Sequence, residues 1–151
     1  GSYVRDKDGV DGAYMICEMF SYYATKGISL LDKLDELYKT YGYCLNTLHS
    51  YEFDGSAGFA KMQGIMQAFR GDIKEFGGKK VVKLLDYAHG LDGLPKSDVL
   101  KFLLEDNCSI VVRPSGTEPK LKTYISVSAE NKEAADKVEA EICKSAETYL
   151  K

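Results

Sequence analysis

Apolar residues in the first 45 positions recur with the period of an α-helix, in two successive segments. The first segment starts after Asp11, a residue that can cap a helix, and ends at Gly27. The second starts with a capping-box pattern at residues 29–32 and ends at Gly42. The apolar positions are Tyr14, Ile16, Cys17, Phe20, Tyr23 and Ala24 in the first segment and Leu30, Leu31, Leu34, Leu37, Tyr38 and Tyr41 in the second. Two helices alone bury too little apolar surface for a stable domain, so we predict a helical hairpin that packs on another part of a larger fold.

Beyond residue 45, strand-like segments dominate the pattern. The predicted strands cover residues 48–53, 80–87, 99–104, 108–112 and 121–127. The last of them alternates apolar and polar residues, which indicates one buried face. The segment 80–87 is expected to be largely buried because of its apolar residues, which are Val81, Val82, Leu84 and Leu85.

Two helices interrupt and follow these strands. The first is predicted to start at residues 54–56 and to end at Gly71, and Asn131 is predicted to cap the second. The inward residues of the first are expected to be Phe59, Met62, Ile65, Met66 and Phe69. The resulting order β-α-β-β-β-β-α predicts an α+β domain, an antiparallel sheet of four to five strands with two helices on one face.

The composition is that of an ordinary globular protein, with 44% hydrophobic and 28% charged residues among 151. A net charge of −3 offers no general attraction to nucleic acid or to anionic lipid. The sequence has no apolar run of 18 residues and no signal peptide, so we predict a cytoplasmic protein without a membrane partner. Gly1 and Ser2 resemble a cloning remnant and are excluded.

The cysteine and histidine residues do not predict a metal site. The cysteines are Cys17, Cys44, Cys108 and Cys143. They are widely spaced without a C-x-x-C pair, and their apolar neighbours favour buried, reduced thiols. His49 and His89 each lack a histidine or cysteine partner three or four residues away, so both are interpreted as structural or surface residues.

Residues 113–120, between the last two predicted strands, carry the candidate chemistry. Arg113 offers a fork of N–H donors that can pair with two phosphate oxygens at once. Ser115 and Thr117 add hydroxyl donors, and Gly116 lets a backbone N–H approach an anion closely. Two interpretations remain open from the residues alone, a phosphate-binding loop or a tight connection between strands.

The segment 113–120 reads R-P-S-G-T-E-P-K and resembles the C-terminal phosphate-binding loop of the α-D-phosphohexomutases, the phosphoglucomutase and phosphomannomutase family. A second match, R-D-K-D-G-V at residues 5–10, resembles the segment that closes the third domain of that family. The resemblance implies that residues 1–45 are the helical tail of the preceding α/β domain. It also implies that residues 46–151 are the fourth domain, which is likened to the TATA-binding-protein fold.

The resemblance further implies an activity for the full-length enzyme. Such enzymes interconvert hexose 1-phosphates and hexose 6-phosphates, glucose or mannose, through a phosphoserine and a bisphosphosugar intermediate, with Mg²⁺ and a glucose 1,6-bisphosphate-type activator. The phosphoserine motif T-A-S-H-N-P, the metal motif D-G-D-G-D-R and the sugar motif G-E-x-S-G-H are absent from this sequence. We therefore expect a C-terminal piece that is inactive alone, binds no cofactor, and works with hexose phosphate and the remaining domains of the same enzyme.

The resemblance assigns the site residues one by one. The phosphate contacts it implies are Arg113, Ser115, Gly116, Thr117 and Lys120. Glu118 is interpreted as an acceptor that orients the loop or Arg113. Lys120 and Lys122 are either a supporting positive field or solvated strand lysines.

Lys7 is the one candidate for a catalytic role. The lysine of the corresponding motif faces the transfer site in some phosphoglucomutases, where an ammonium group stabilises the moving phosphoryl group. The alternative is a solvated lysine in the loop that enters a helix.

Two other functions compete with the enzyme fragment. One is a stand-alone phospholigand- or protein-binding module, but such a module would leave the apolar face of the N-terminal hairpin without a partner surface. The other is nucleic-acid binding, which the acidic net charge and the lack of a basic stripe disfavour.

Overall fold

The computed structural model describes residues 7–116 and 118–150, except the side chain of Ser56, and the chain divides into two compact units between Tyr41 and Gly42. The N-terminal unit contains α1 (Gly9–Ala24) and α2 (Leu30–Tyr41). Asp8, rather than the expected Asp11, caps α1 and accepts hydrogen bonds from the backbone N–H groups of Val10 and Asp11.

The predicted capping box of α2 is confirmed. The Ser29 backbone N–H donates to the Asp32 carboxylate over 3.0 Å, and the Asp32 N–H donates to the Ser29 hydroxyl over the same distance. Neither helix contains a buried residue. The large apolar residues of this unit that are exposed are Val10, Tyr14, Met15, Ile16, Met19, Phe20, Tyr22, Leu31, Leu34, Leu37 and Tyr41.

The C-terminal unit is an antiparallel sheet with two helices. Its strands are β1 (Tyr43–Glu52), β2 (Glu75–Phe76), β3 (Lys79–Asp86), β4 (Leu100–Leu104), β5 (Ser109–Pro114) and β6 (Lys120–Ala129). Its helices are α3 (Gly55–Phe69) and α4 (Lys132–Glu147), and the Asn131 carbonyl side chain caps α4 as predicted. The strand order is β1-β6-β5-β4-β3-β2, with every neighbouring pair antiparallel.

Two strand assignments from the sequence need correction. β1 starts at Tyr43, five residues before the predicted strand, because its whole length pairs with β6 from Tyr43 opposite Ala129 to Glu52 opposite Lys120. β2 was not predicted, since two residues carry no periodicity. The sheet therefore has six strands rather than four or five.

One face of the sheet is covered and forms the core. Alternate residues of β4, β5 and β6 point to this face and are buried, and the buried residues of α3 and α4 belong to the same cluster. α4 lies against β1, β2 and β6, whereas α3 lies against β5. The residues packed in this cluster include Met66, Phe69, Phe76, Leu100, Phe102, Ile110, Val112, Leu121, Ile125, Val127, Ala135 and Ile142. The opposite face of the sheet, here called the open face, carries no helix of this unit.

Three burial expectations are wrong. Val82 is 67% exposed and no residue of β3 is buried, because β3 has only the two-residue β2 beyond it and a register shift between Val81 and Lys83. Phe59 is 59% exposed and lies one turn before Met62, the first buried hydrophobic residue of α3.

The cysteines also differ from the expectation of buried thiols. Cys108 is buried and Cys143 is half-buried, whereas Cys17 and Cys44 are exposed. Cys17 lies on α1, which has no buried residue, and Cys44 lies on the open face. Among the described residues, no helix combines the length and the apolar character needed to cross a bilayer.

Candidate functional site

The segment between β5 and β6, residues 115–119, forms a narrow turn and is called the β5–β6 loop below. The Ser115 N–H donates to the Lys120 carbonyl over 2.7 Å, and the Lys120 N–H donates to the Glu118 carbonyl over 2.7 Å. A Cβ placed on Gly116 would have no described atom within 4 Å, so the loop backbone faces open space there. Thr117 lies outside the described residues. The turn is therefore closed at its base and open at Gly116.

The base of the loop is fixed to the rest of the unit. The Phe53 N–H, just after β1, donates to the Pro119 carbonyl over 2.8 Å. Phe59 and Met62 of α3 line a shallow cavity of about 240 Å³ together with Ser115, Gly116, Glu118 and Pro119. The loop is thus held between the end of β1 and the first turns of α3.

Arg113 and Lys122 stand side by side at this end of the sheet. They are directly opposite each other in the β5–β6 pairing. Their neighbours Val112 and Leu121 are fully buried on the covered face, so strand alternation puts Arg113 and Lys122 on the open face. In the described part of the chain neither side chain forms an ion pair. Two positive charges beside the loop are therefore uncompensated.

Lys120 is in a different electrostatic state. Its Nζ lies 3.2 Å from Glu52 Oε1 and 3.5 Å from Glu118 Oε1. The hydrogen bond to Glu52 and the charge of Glu118 raise the pKa of the Lys120 ammonium group. Both of its carboxylate partners reduce the net field that an incoming phosphate would meet at Lys120.

A family model described as phosphoglucomutase/phosphomannomutase, C-terminal domain, matches residues 54–145. The match extends from the start of α3 into α4 and includes the β5–β6 loop. The chain belongs to this family.

Curated relatives from the family agree with this assignment. The chain is 37% identical over 153 residues to a phosphoglucomutase of Staphylococcus aureus strain MSSA476, which covers 93% of the chain and 28% of that relative. A phosphoglucomutase of Staphylococcus saprophyticus is 32% identical over 139 residues, covering 84% of the chain and 25% of the relative. The chain thus spans 28% of the length of the first relative and 25% of the second.

A solved structure supports the fold. The open form of pp63/parafusin, a phosphoglucomutase from Paramecium, matches 99% of this chain and 27% of its own with a TM-score of 0.62. The sequence identity is 18%, so this likeness bears on the fold alone.

In this member of the phosphoglucomutase/phosphomannomutase family, the predicted site residues lie in different surroundings. Arg113, Ser115 and Gly116 lie together at the end of β5, and Lys120 starts β6 with its charge compensated. Lys7 lies in the N-terminal unit, two residues before α1, with a φ of 55°.

Sequence reasoning missed a second polar cavity of about 590 Å³ in the C-terminal unit. Its centre is Arg70, whose Nε donates to Asp86 over 2.9 Å and whose Nη2 donates to Asp98 over 2.6 Å. His89 and Lys96 also line it. The three charged partners are 12 to 28 positions apart along the chain, so no local pattern indicates that they meet.

Proposed function

We propose that this chain is the C-terminal phosphate-binding domain of a phosphohexomutase, and that the β5–β6 loop binds the phosphate of a hexose phosphate that is not being transferred. The observation that supports this most directly is the uncompensated pair Arg113 and Lys122 beside the loop. The family membership of residues 54–145 supports the same function.

Uncompensated charge matters because a phosphate dianion must lose water to bind. Arg113 replaces that water with two parallel N–H donors, and each hydrogen bond to a charged group contributes about 1.5–3 kcal/mol. Lys122 adds a second positive charge on the same face, opposite Arg113. Ser115, Gly116 and Thr117 supply the remaining donors, and Lys120 holds the loop through Glu52 and Glu118.

The reaction we infer for the whole enzyme is the interconversion of hexose 1-phosphate and hexose 6-phosphate through a phosphoserine and a bisphosphosugar. In that reaction the loop binds and orients one end of the sugar while the other end reacts, so its binding energy serves positioning. We assign no proton transfer or nucleophilic step to the described residues, and Lys7 stays a candidate whose role is untested.

The described residues of this chain do not fit the Mg²⁺ that the family implies. The carboxylates Asp86 and Asp98 lie close together, but the Arg70 guanidinium bridges them and holds the position that a cation would need. We therefore assign the metal and the bisphosphate activator to the parts of the enzyme that carry the motifs absent here, and we expect no mutase turnover from these 151 residues alone.

We also propose that the remaining domains of the same enzyme cover the N-terminal hairpin. Apolar residues of α1 and α2 are exposed, among them Tyr14, Phe20 and Leu31. Surface of this kind usually marks an interface. The cytoplasmic location expected from the sequence stays a prediction.

The binding proposal can be tested by titrating the ¹⁵N-labelled chain with glucose 1-phosphate and with inorganic phosphate. We expect the amide resonances of residues 115–117 to shift with both ligands. Arg113→Gln should weaken binding about ten-fold or more, because the variant loses a charge and the paired donors. Arg113→Lys should recover part of the affinity, since it keeps the charge but not the fork.

Lys144→Gln is the matched control, because Lys144 is an exposed cation on α4 and should leave the titration unchanged. Shifts centred elsewhere, with a silent loop, would contradict the site. The same sample with a bisphosphate activator should show no turnover of glucose 1-phosphate, and measurable turnover would contradict the assignment of the chemistry to other domains.

A further inference from the structure

Three side chains with metal-ligating atoms meet where α4 lies against β1. They are His49 of β1 and Glu139 and Cys143 of α4, and one ligand atom from each lies within 4.8 Å of the others. Glu139 and Cys143 are four residues apart, so they share one face of the helix. All three side chains are partly accessible, with His49 33% and Glu139 13% exposed.

We propose that His49, Glu139 and Cys143 form a binding site for one divalent transition metal ion of the zinc class, with a fourth position open to water. An imidazole nitrogen, a thiolate sulfur and a carboxylate oxygen form the mixed donor set that Zn²⁺ and its close relatives prefer. Alkaline-earth ions prefer all-oxygen sites, so the thiol and the imidazole disfavour Mg²⁺ and Ca²⁺ here.

The geometry needs only side-chain adjustment. Tetrahedral Zn²⁺ with ordinary bond lengths holds its nitrogen, oxygen and sulfur ligands about 3.3–3.6 Å apart. His49 Nε2 and Glu139 Oε1 are 2.7 Å apart in the hydrogen-bonded state, and the widest separation among the three ligand atoms is at most 4.8 Å. Metal binding therefore lengthens the distance between His49 Nε2 and Glu139 Oε1 and shortens the widest separation among the three ligand atoms by about 1 Å. Rotamer changes can supply shifts of this size.

A polar partner already orients one ligand. The Thr47 hydroxyl donates to Glu139 Oε1 over 2.6 Å. Thr47 and His49 lie on the same side of β1. A hydrogen bond of this kind fixes a ligating carboxylate, and loss of such an outer partner usually weakens metal binding.

Thr123 of β6 provides a second, independent observation. It lies directly opposite His49 in the β1–β6 pairing, faces the same side, and is 1% exposed. Its hydroxyl makes no hydrogen bond of regular geometry among the described residues, and its polar neighbour is the Tyr51 hydroxyl, which also lies close to Cys143. A buried hydroxyl without a partner is costly. A water molecule bound at the open position of the metal would give this hydroxyl such a partner.

An ordinary ion pair explains only part of the cluster. His49 and Glu139 would attract each other without a metal, as many surface pairs do. That attraction does not account for the position of the Cys143 thiol beside them, although this thiol also donates to Glu147 Oε1 over 3.9 Å and lies close to the Tyr51 hydroxyl. On binding, the ion accepts lone pairs from the imidazole, the carboxylate and the thiolate, and the thiol proton is released to solvent.

Co²⁺ is a suitable probe, because a cobalt–thiolate bond gives a charge-transfer absorption band that nitrogen and oxygen ligands do not give. We expect the reduced 151-residue chain to bind one Co²⁺ with this band, and Zn²⁺ to displace it. Cys143→Ser should abolish the band, and His49→Gln should weaken binding about ten-fold or more. The matched controls are Cys44→Ser and His89→Gln, which should bind as the parent does.

A readout on the unmutated chain guards against variants that fail to fold. Zn²⁺ should shift the ring nitrogen resonances of His49 and leave those of His89 in place. Absence of the charge-transfer band in excess Co²⁺ would overturn the proposal. So would a band that survives Cys143→Ser, that disappears in Cys44→Ser, or a Zn²⁺ titration that shifts His89 instead of His49.

Discussion

Arg113 and Arg70 lie near the same end of the sheet, but their surroundings are opposite. β5 and β3 both pair antiparallel with β4, so Arg113 near the end of β5 and Asp86, the partner of Arg70 at the end of β3, share that end. Arg70 donates to Asp86 and Asp98, whereas Arg113 stands beside another cation, Lys122. An arginine at a cavity is therefore not sufficient for anion binding. Two carboxylates compensate the charge of Arg70, so we interpret it as a structural arginine.

The largest expected effect is a difference in the free energy of unfolding between variants of the two arginines. Arg70→Met keeps the aliphatic stem and removes the charge-assisted hydrogen bonds to two carboxylates, which are then left close together. We expect a loss of about 1–2 kcal/mol in the free energy of unfolding of the C-terminal unit. Urea unfolding followed by hydrogen exchange in β3 and β4 measures this loss.

Arg113→Met is the matched control, because Arg113 is exposed and has no ion-pair partner in the described chain. It should change the free energy of unfolding by less than about 0.5 kcal/mol. If both variants lose the same stability, or if Arg113→Met loses more, the division between a structural and a binding arginine does not hold.

The next expected effect compares two lysines of β6. Lys122 is opposite Arg113 and uncompensated, whereas Lys120 lies between two carboxylates. An exposed charge contributes about 0.2–1 kcal/mol, so Lys122→Gln should weaken phosphate binding roughly two- to five-fold. Lys120→Gln should weaken it less, because the Lys120 ammonium group is engaged by Glu52 and Glu118 and holds the loop instead of contacting the phosphate.

Phosphate titrations of the two variants, at the same ionic strength, measure this difference. The salt dependence of binding should fall more in Lys122→Gln than in Lys120→Gln. The reverse order would support the phosphate contact that the family resemblance implied for Lys120.

The sequence predicted the elements of the C-terminal unit well where a pattern is local. The alternation of β6, the cap at Asn131 and the helical segment ending in Phe69 are visible in neighbouring residues. β2 was missed because Glu75 and Phe76 are too few to show a period. Their position depends instead on Gly77, where φ is +55° and an added Cβ would lie 2.5 Å from a backbone carbon of Glu141 in α4.

The candidate site was predictable as a loop but not as a charge distribution. Eight consecutive residues indicate phosphate binding at residues 113–120, as does the family they resemble. Which lysine is free depends on the register of β1 and β6, which sets Glu52 opposite Lys120. The contact between His49 and Glu139 also depends on tertiary packing. These residues are 90 positions apart and meet only because α4 lies against β1.

The smallest expected effect is a change in the pH dependence of the free energy of unfolding, which tests the role of Arg70. The Arg70 guanidinium, and secondarily the Ala88 N–H, hold the pKa of the Asp86 carboxyl below its ordinary value of 3.8 against the opposing effect of burial. Because this pKa is lower in the folded state, the unfolded state binds more protons as the pH falls through this range. The stabilisation is therefore present above pH 3.8 and is lost as the pH falls through the folded-state pKa.

Asp86→Asn should flatten the acid dependence of the free energy of unfolding, and Arg70→Met should flatten it in the same way because it removes the cause of the pKa shift. The double variant should be no flatter than either single one, since both act on one interaction. Urea midpoints measured from about pH 5 down to about pH 2 give the slopes. An unchanged slope in Arg70→Met would mean that Arg70 does not hold Asp86 ionised, and the contrast with Arg113 would then rest on geometry alone.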